Sequence, residues 1–157
     1  MNLKLITVGK TDDAILQELI QKYCNRLRHY VNFEFVELAD IKKAKNLSEE
    51  ELKQKEGELI LKFVNSMDHV VLLDERGTQF KSVAFADLMQ KRMNSGIKIM
   101  VFVIGGAYGF SDQVYQRANQ KLSLSKMTFS HQMVRLFAVE QIYRAFTILR
   151  NEPYHHR

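Results

Sequence analysis

The chain has 157 residues, 46% of them hydrophobic and 26% charged, the proportions of one soluble domain and not of a disordered segment. A single cysteine, Cys24, excludes a disulfide framework and a cysteine-cluster zinc site. The net charge of +5 is unevenly placed: residues 1–110 hold 16 Lys/Arg against 15 Asp/Glu, whereas residues 111–157 hold 7 against 3. A positive excess in the last third suits a surface that meets phosphate, although chance among surface charges would also produce it. No run approaches the length of an apolar membrane span, and the N-terminal MNLKLITVGK lacks the flanks of a signal peptide. A cytosolic protein is expected.

In chain order, residues 2–8 (NLKLITV) predict a strand ending at Gly9. Residues 12–29 place Ile15, Leu16, Leu19, Ile20, Tyr23 and Leu27 at helical spacing. Residues 32–38 alternate as a half-buried strand. Ser48-Glu49-Glu50-Glu51 opens a charged helix to about Val64, with a capping box at its start. HVVLL at 69–73 is a compact strand that meets a turn signal, Asp74-Glu75-Arg76-Gly77. A helix over 82–94 is closed by Gly96. IMVFVI at 99–104 is apolar on both faces, as a central parallel strand requires. A short helix near 111–119 begins after the candidate N-cap Ser111, a strand covers 121–125, and a long last helix runs over 131–150 before the lone proline, Pro153. Without repeats or linkers, this is one βαβα domain: a mostly parallel sheet with helices on both faces.

Ligands of open α/β sheets bind beyond the carboxyl ends of the strands. That rule selects Leu73–Gly77, Gly105–Phe110 and Leu124–Phe129. The middle segment, GGAYGF, has glycines suited to close backbone approach and positive φ. It lacks the GxGxxG spacing and the downstream acid of a dinucleotide site, which counts against a dinucleotide-dependent oxidoreductase. The third, LSLSKMTF, suits a backbone-lined pocket for a flat, partly apolar ligand.

In the last helix, Val134, Ala138, Val139, Ile142, Ala145, Phe146 and Leu149 form a core stripe. Leu136, Phe137, Tyr143 and Ile148 lie on the far side, where a monomer leaves them wet, so a partner surface is expected there. The Glu140–Arg144 pair reads as local helix support. The tail NEPYHHR concentrates donors, acceptors and charge, and its His-His pair has no third metal ligand nearby in sequence; no metal is expected.

VFVIGGAYGF, LSLSKMTFSHQMVRLFAVEQIYRAFTI and the terminal NEPYHH together resemble the bacterial RlmH family, the SPOUT-class pseudouridine N3-methyltransferases of large-subunit (23S) ribosomal RNA. KLITVGK and VVLLDERG fit the same pattern, so the resemblance spans essentially the whole chain as one SPOUT methyltransferase domain, residues 1–157. It implies an α/β fold with a C-terminal deep trefoil knot, a homodimer, S-adenosyl-L-methionine as cofactor, and ribosomal RNA, within the assembled ribosome, as partner. It also implies cofactor contacts at Leu73, Gly105, Leu124, Ser125, Lys126, Met127, Thr128 and Phe129. Tyr154 and His155 are the implied catalytic residues. Tyr154 is expected to stack on or hydrogen-bond the target base, and His155 is the candidate acceptor of its imide proton, with His131 as rival. Family tails carry a basic residue after Tyr-His; here His156 stands in that place with Arg157 following, and either could take its role. Ser130 stands where many relatives have proline. A non-catalytic RNA-binding factor is also compatible with the charge distribution, and the cofactor loop argues against it.

Overall fold

The computed structural model describes residues 1–156. Its elements are β1 (Asn2–Val8), α1 (Ala14–Leu27), β2 (Phe33–Leu38), α2 (Glu49–Lys62), β3 (His69–Gln79), α3 (Ser82–Asn94), β4 (Ile99–Ile104), α4 (Asp112–Arg117), β5 (Gln120–Ser123) and α5 (Met133–Leu149). The strands form one sheet in the order β2-β1-β4-β3-β5, and every neighbouring pair is parallel.

Period-two alternation in the central strands divides the core into two layers. Leu3, Leu5, Val71, Met100 and Phe102 face α1, α3 and α5. Ile6, Val8, Val70, Leu72, Val101 and Val103 face α2 and α4. Cys24 is buried in the first layer, where loss of solvation pushes its thiol up to about 11; it packs as a small hydrophobe.

Helix starts follow local chemistry. Ser48 and Glu51 form the expected capping box, while Asp13, which the sequence reading passed over, caps α1 through Leu16 N at 2.9 Å. Ser111 stands at the N-cap of α4, yet its hydroxyl makes no cap bond. Ser130 caps the last helix from three residues outside it: its Oγ accepts from Met133 N at 3.1 Å. Helix α5 therefore begins at Met133, two residues later than the pattern suggested.

The largest difference from expectation lies in β3. Asp74–Gly77 does not end β3, which continues to Gln79; it is the register shift against β5, where Leu73 and Thr78 both stand opposite Leu122 and the four residues between them have no β5 partner. Gly77 makes this possible, since a Cβ there would lie 2.5 Å from the Leu122 carbonyl carbon. The irregular stretch of β3 thus presses directly on the backbone of β5. Strand β5 is correspondingly shorter than expected, and residues 124–132 form an extended loop to α5.

Candidate active site

At the carboxyl ends of β4 and β5, beside the irregular stretch of β3 that follows Leu73, the chain encloses a cavity of ≈ 660 Å³, within the range of small-molecule and cofactor sites. It is lined by Leu73, Gly105, Leu124, Ser125, Met127, Thr128 and Phe129, seven of the eight residues expected to contact a cofactor. Lys126 is not among the lining residues. Its lining combines apolar Leu73, Ile104 and Leu124 with glycines and the short hydroxyl side chains Ser123, Ser125, Thr128 and Ser130. This composition suits a flat, partly apolar ligand.

The glycine-rich turn is shaped for a different reason than the sequence suggested. Of its glycines only Gly109 has positive φ, +82°. Gly105 and Gly106 are required by crowding from their own protein. A Cβ on Gly105 would sit 3.0 Å from the Phe110 ring, and one on Gly106 would sit 2.7 Å from the Glu56 carboxyl carbon. Glu56 is only 7% exposed, and its Oε2 has no hydrogen-bond partner among the described residues. Burial, aided by the charge of Asp40, pushes its carboxyl up to about 7. The cavity turn is therefore braced by a buried acid from α2 that sequence reasoning missed, because spacing within α2 carries no sign of what packs across it.

Tyr115, a further lining residue, carries no signal in the sequence, and its partner Asp74 belongs to the first selected segment. Tyr115 donates to Asp74 Oδ2 at 2.5 Å, and Asp74 Oδ1 accepts from Arg76 N at 2.7 Å. Burial and the Asp74 bond together push the Tyr115 phenol up to about 12. The pair joins α4 to the irregular part of β3 and fixes one wall. In the loop after β5, Ser125 Oγ accepts from Met127 N at 2.9 Å, and Ser123 Oγ donates to Ser125 O at 2.8 Å. These bonds shape the 124–129 loop locally.

Arg135, 1% exposed, ties this loop region to the end of β1. It donates to Val8 O at 2.8 Å, Gly9 O and Thr11 Oγ1 at 3.0 Å, and His131 O at 3.1 Å, with Glu37 at 3.4 Å as counter-charge. Burial lowers its pKa, against Glu37, Asp12 and Asp40, which raise it. The basic excess of the last third is partly spent in this way. Arg117 donates to the carbonyls of Asn65, Ser66 and Asp68, and Arg144 pairs with Glu140 at 2.6 Å. The expectation that these charges form a phosphate-facing surface fails for Arg117, Arg135 and Arg144, because each is engaged inside its own chain. Arg157 lies outside the described residues.

The tail does not reach the cavity of its own chain: neither Tyr154 nor His155 lines it, whereas His131 does. Instead the tail lies against α1 and α5. Tyr30 donates to Glu152, and Tyr154 donates to Glu140 Oε1 at 2.9 Å. With its one proton committed there, Tyr154 accepts from Tyr23 at 3.2 Å. Its ring meets Tyr143 edge-on at 4.9 Å, and the Arg144 guanidinium covers it at 4.7 Å. Both expected roles of Tyr154 toward a base, stacking and hydrogen bonding, compete with these internal contacts. The same cluster overturns one element of the expected partner surface: Tyr143 is only 9% exposed, covered by Tyr23, Tyr30 and Tyr154. Leu136 and Ile148 are half-buried against the core. Phe137 remains exposed and packs on Phe129 at 5.0 Å, with Met127 and Met133 exposed nearby in sequence.

A family model described as "Predicted SPOUT methyltransferase" matches residues 1–155. Among curated relatives, the protein named "Ribosomal RNA large subunit methyltransferase H" from Christiangramia forsetii is 62% identical over 157 residues, the whole of both chains. Its namesake from Flavobacterium psychrophilum is also 62% identical over the full length. The one from Parabacteroides distasonis is 56% identical over 99% of each chain. With a cavity beside three parallel strands of one sheet and a family match over essentially its whole length, this chain belongs to the SPOUT methyltransferases.

Proposed function

We propose that the protein transfers a methyl group from S-adenosyl-L-methionine to N3 of a pseudouridine in large-subunit (23S) ribosomal RNA, in the cytoplasm, as a homodimer. The observation that carries this reading is the convergence of Leu73, Gly105 and the 124–129 loop on one cavity, in a chain that is 62% identical to relatives named for ribosomal RNA methylation. Bound there, the cofactor supplies an electrophilic methyl on a positively charged sulfur, whose departure needs no acid. The chain's own work is then to hold the reactants in line and to receive the target ring beside the cavity. Leu73, Ile104 and Leu124 would flank the cofactor's apolar part, and the backbone of Gly105 and residues 124–129 would bond its polar edges. Lys126, outside the lining, is assigned to the RNA side of the same loop. Alignment of this kind supplies up to about 7–11 kcal/mol of barrier reduction.

His155 is assigned to the target base and Tyr154 to anchoring the tail beside it. Since the tail lies away from its own cavity, we assign it to the cavity of a second copy. Exposed Phe129, Met133 and Phe137 would then be covered by that copy. Helix α5 packs on both α1 and α3 and, through Ala138 and Ile142, over Leu73, Phe102 and Leu122. Together with the close crossing at Gly77, this supports a knotted path in which α5 passes inside the β3–α3–β4 loop. Calorimetric titration tests the cofactor assignment: heat is expected with S-adenosylmethionine and none with NAD, and the reverse result would overturn it.

A further inference from the structure

The pair Glu140–Arg144, which the sequence presented as local helix support, extends into the tail as one hydrogen-bonded chain. Arg144 Nε and Nη2 donate to Glu140 Oε1 at 3.1 and 2.6 Å, and Tyr154 donates to the same oxygen. Arg144 Nη1, the remaining nitrogen of the fork, faces His155 Nδ1 at 3.5 Å. A guanidinium has donors and no acceptor. The imidazole nitrogen opposite it must therefore present its lone pair. A neutral imidazole has one such nitrogen, so its proton resides on Nε2. Glu140 holds Arg144 in place for this contact, and the Arg144 guanidinium is in turn kept fully charged by Glu140. Tyr154, locked between Glu140 and Tyr23, fixes the backbone position of the next residue, His155.

We propose that Glu140 and Arg144 are positioning residues that fix His155 as a neutral hydrogen-bond donor, its Nε2–H serving a carbonyl oxygen beside the reacting ring nitrogen. The inference rests on the methyl-transfer reading above and reverses the role the sequence suggested for His155. In that step the imide proton leaves to solvent water, and the charge left behind spreads over the ring nitrogen and its flanking carbonyl oxygens. The nitrogen lone pair forms the new bond to the methyl carbon while the carbon–sulfur pair returns to sulfur. A donor aimed at developing oxygen charge contributes about 10²–10³ in rate.

The test reads the ring itself before any catalysis. In full-length protein labelled with ¹⁵N-histidine, a long-range ¹H–¹⁵N spectrum at pH 8 should show His155, assigned by its loss in His155→Ala, as the single Nε2–H tautomer. Glu140→Gln and Arg144→Met should convert it to a mixture. In single-turnover methylation of ribosomes, His155→Ala should lose about 10²–10³-fold, and His155→Gln, which keeps an amide donor, should recover at least about tenfold of that loss. The parental rate should climb steadily between pH 6 and 8.5. An Nδ1–H tautomer in the parent overturns the proposal, as does a rate that levels off above about pH 6.5–7, the signature of a histidine acting as base. The spectrum needs no substrate, so the tautomer stands or falls separately from methyl transfer.

Discussion

Glu56 shows how a single side chain can shape a site it does not line. Its carboxyl is buried against Gly106 and pushed up to about 7, above the ordinary carboxylate value, so folding favours its protonated form. The stability it contributes is fully present below the unfolded value near 4.5 and is lost as pH rises through about 7. Glu56→Gln should therefore gain melting temperature relative to the parent as pH is raised from 5 to 8, with the two converging at the acid end. Parallel melting curves that keep a constant gap would show that Glu56 ionises without cost. Gly105 makes a sharper test of the cavity. A saturating ligand at 100 times its dissociation constant stabilises the parent by about 2.7 kcal/mol, a melting shift of several degrees for a domain of this size. Gly105→Val must displace the Phe110 ring and should abolish that shift while leaving a cooperative melt. An undiminished shift in the folded variant would remove Gly105 from the site.

At the scale of elements, strands and helix faces were legible because period-two and 3.6-residue patterns record burial directly. IMVFVI reads as a central strand since both its faces are covered, and the three strand-end segments follow from parallel topology alone. What was not legible depends on partners distant in sequence. Asp74–Gly77 carries turn residues, yet the chain resumes pairing with β5 at Thr78 after this unpaired stretch, beside a glycine that admits the β5 backbone. Tyr143 reads as a surface residue until Tyr23, Tyr30 and Tyr154 arrive from α1, the turn after it and the tail. Arg135 sits on α5 as an ordinary cation, with nothing local to show that it serves the end of β1. Its role is measurable. Arg135→Met leaves the Val8, Gly9 and His131 carbonyls without this donor, at about 1–3 kcal/mol for each group left unpaired in the buried state. The variant should lose at least about 2 kcal/mol in urea unfolding, and a loss below about 0.5 kcal/mol would show that solvent replaces the guanidinium freely.

For the whole molecule, the decisive feature is the separation of cavity and tail within one chain. The cavity opens at the carboxyl ends of β4 and β5 beside the irregular stretch of β3, and His155 lies against α5, outside its lining. A second copy resolves this if each active site combines one subunit's cavity with the other's tail. A dimer of that kind should bury roughly 1,600 Å² in total, and sedimentation at micromolar concentration should report two chains. The most direct measurement uses two inactive variants, Gly105→Val with a damaged cavity and His155→Ala with a damaged tail. They are unfolded together, refolded at equal concentrations and assayed for methyl transfer to ribosomes. Random pairing makes half the dimers mixed, each with one intact composite site of two, so activity should return to about a quarter of the parental value. A mixture as inactive as either variant alone would contradict the shared site and place cavity and tail in the same chain.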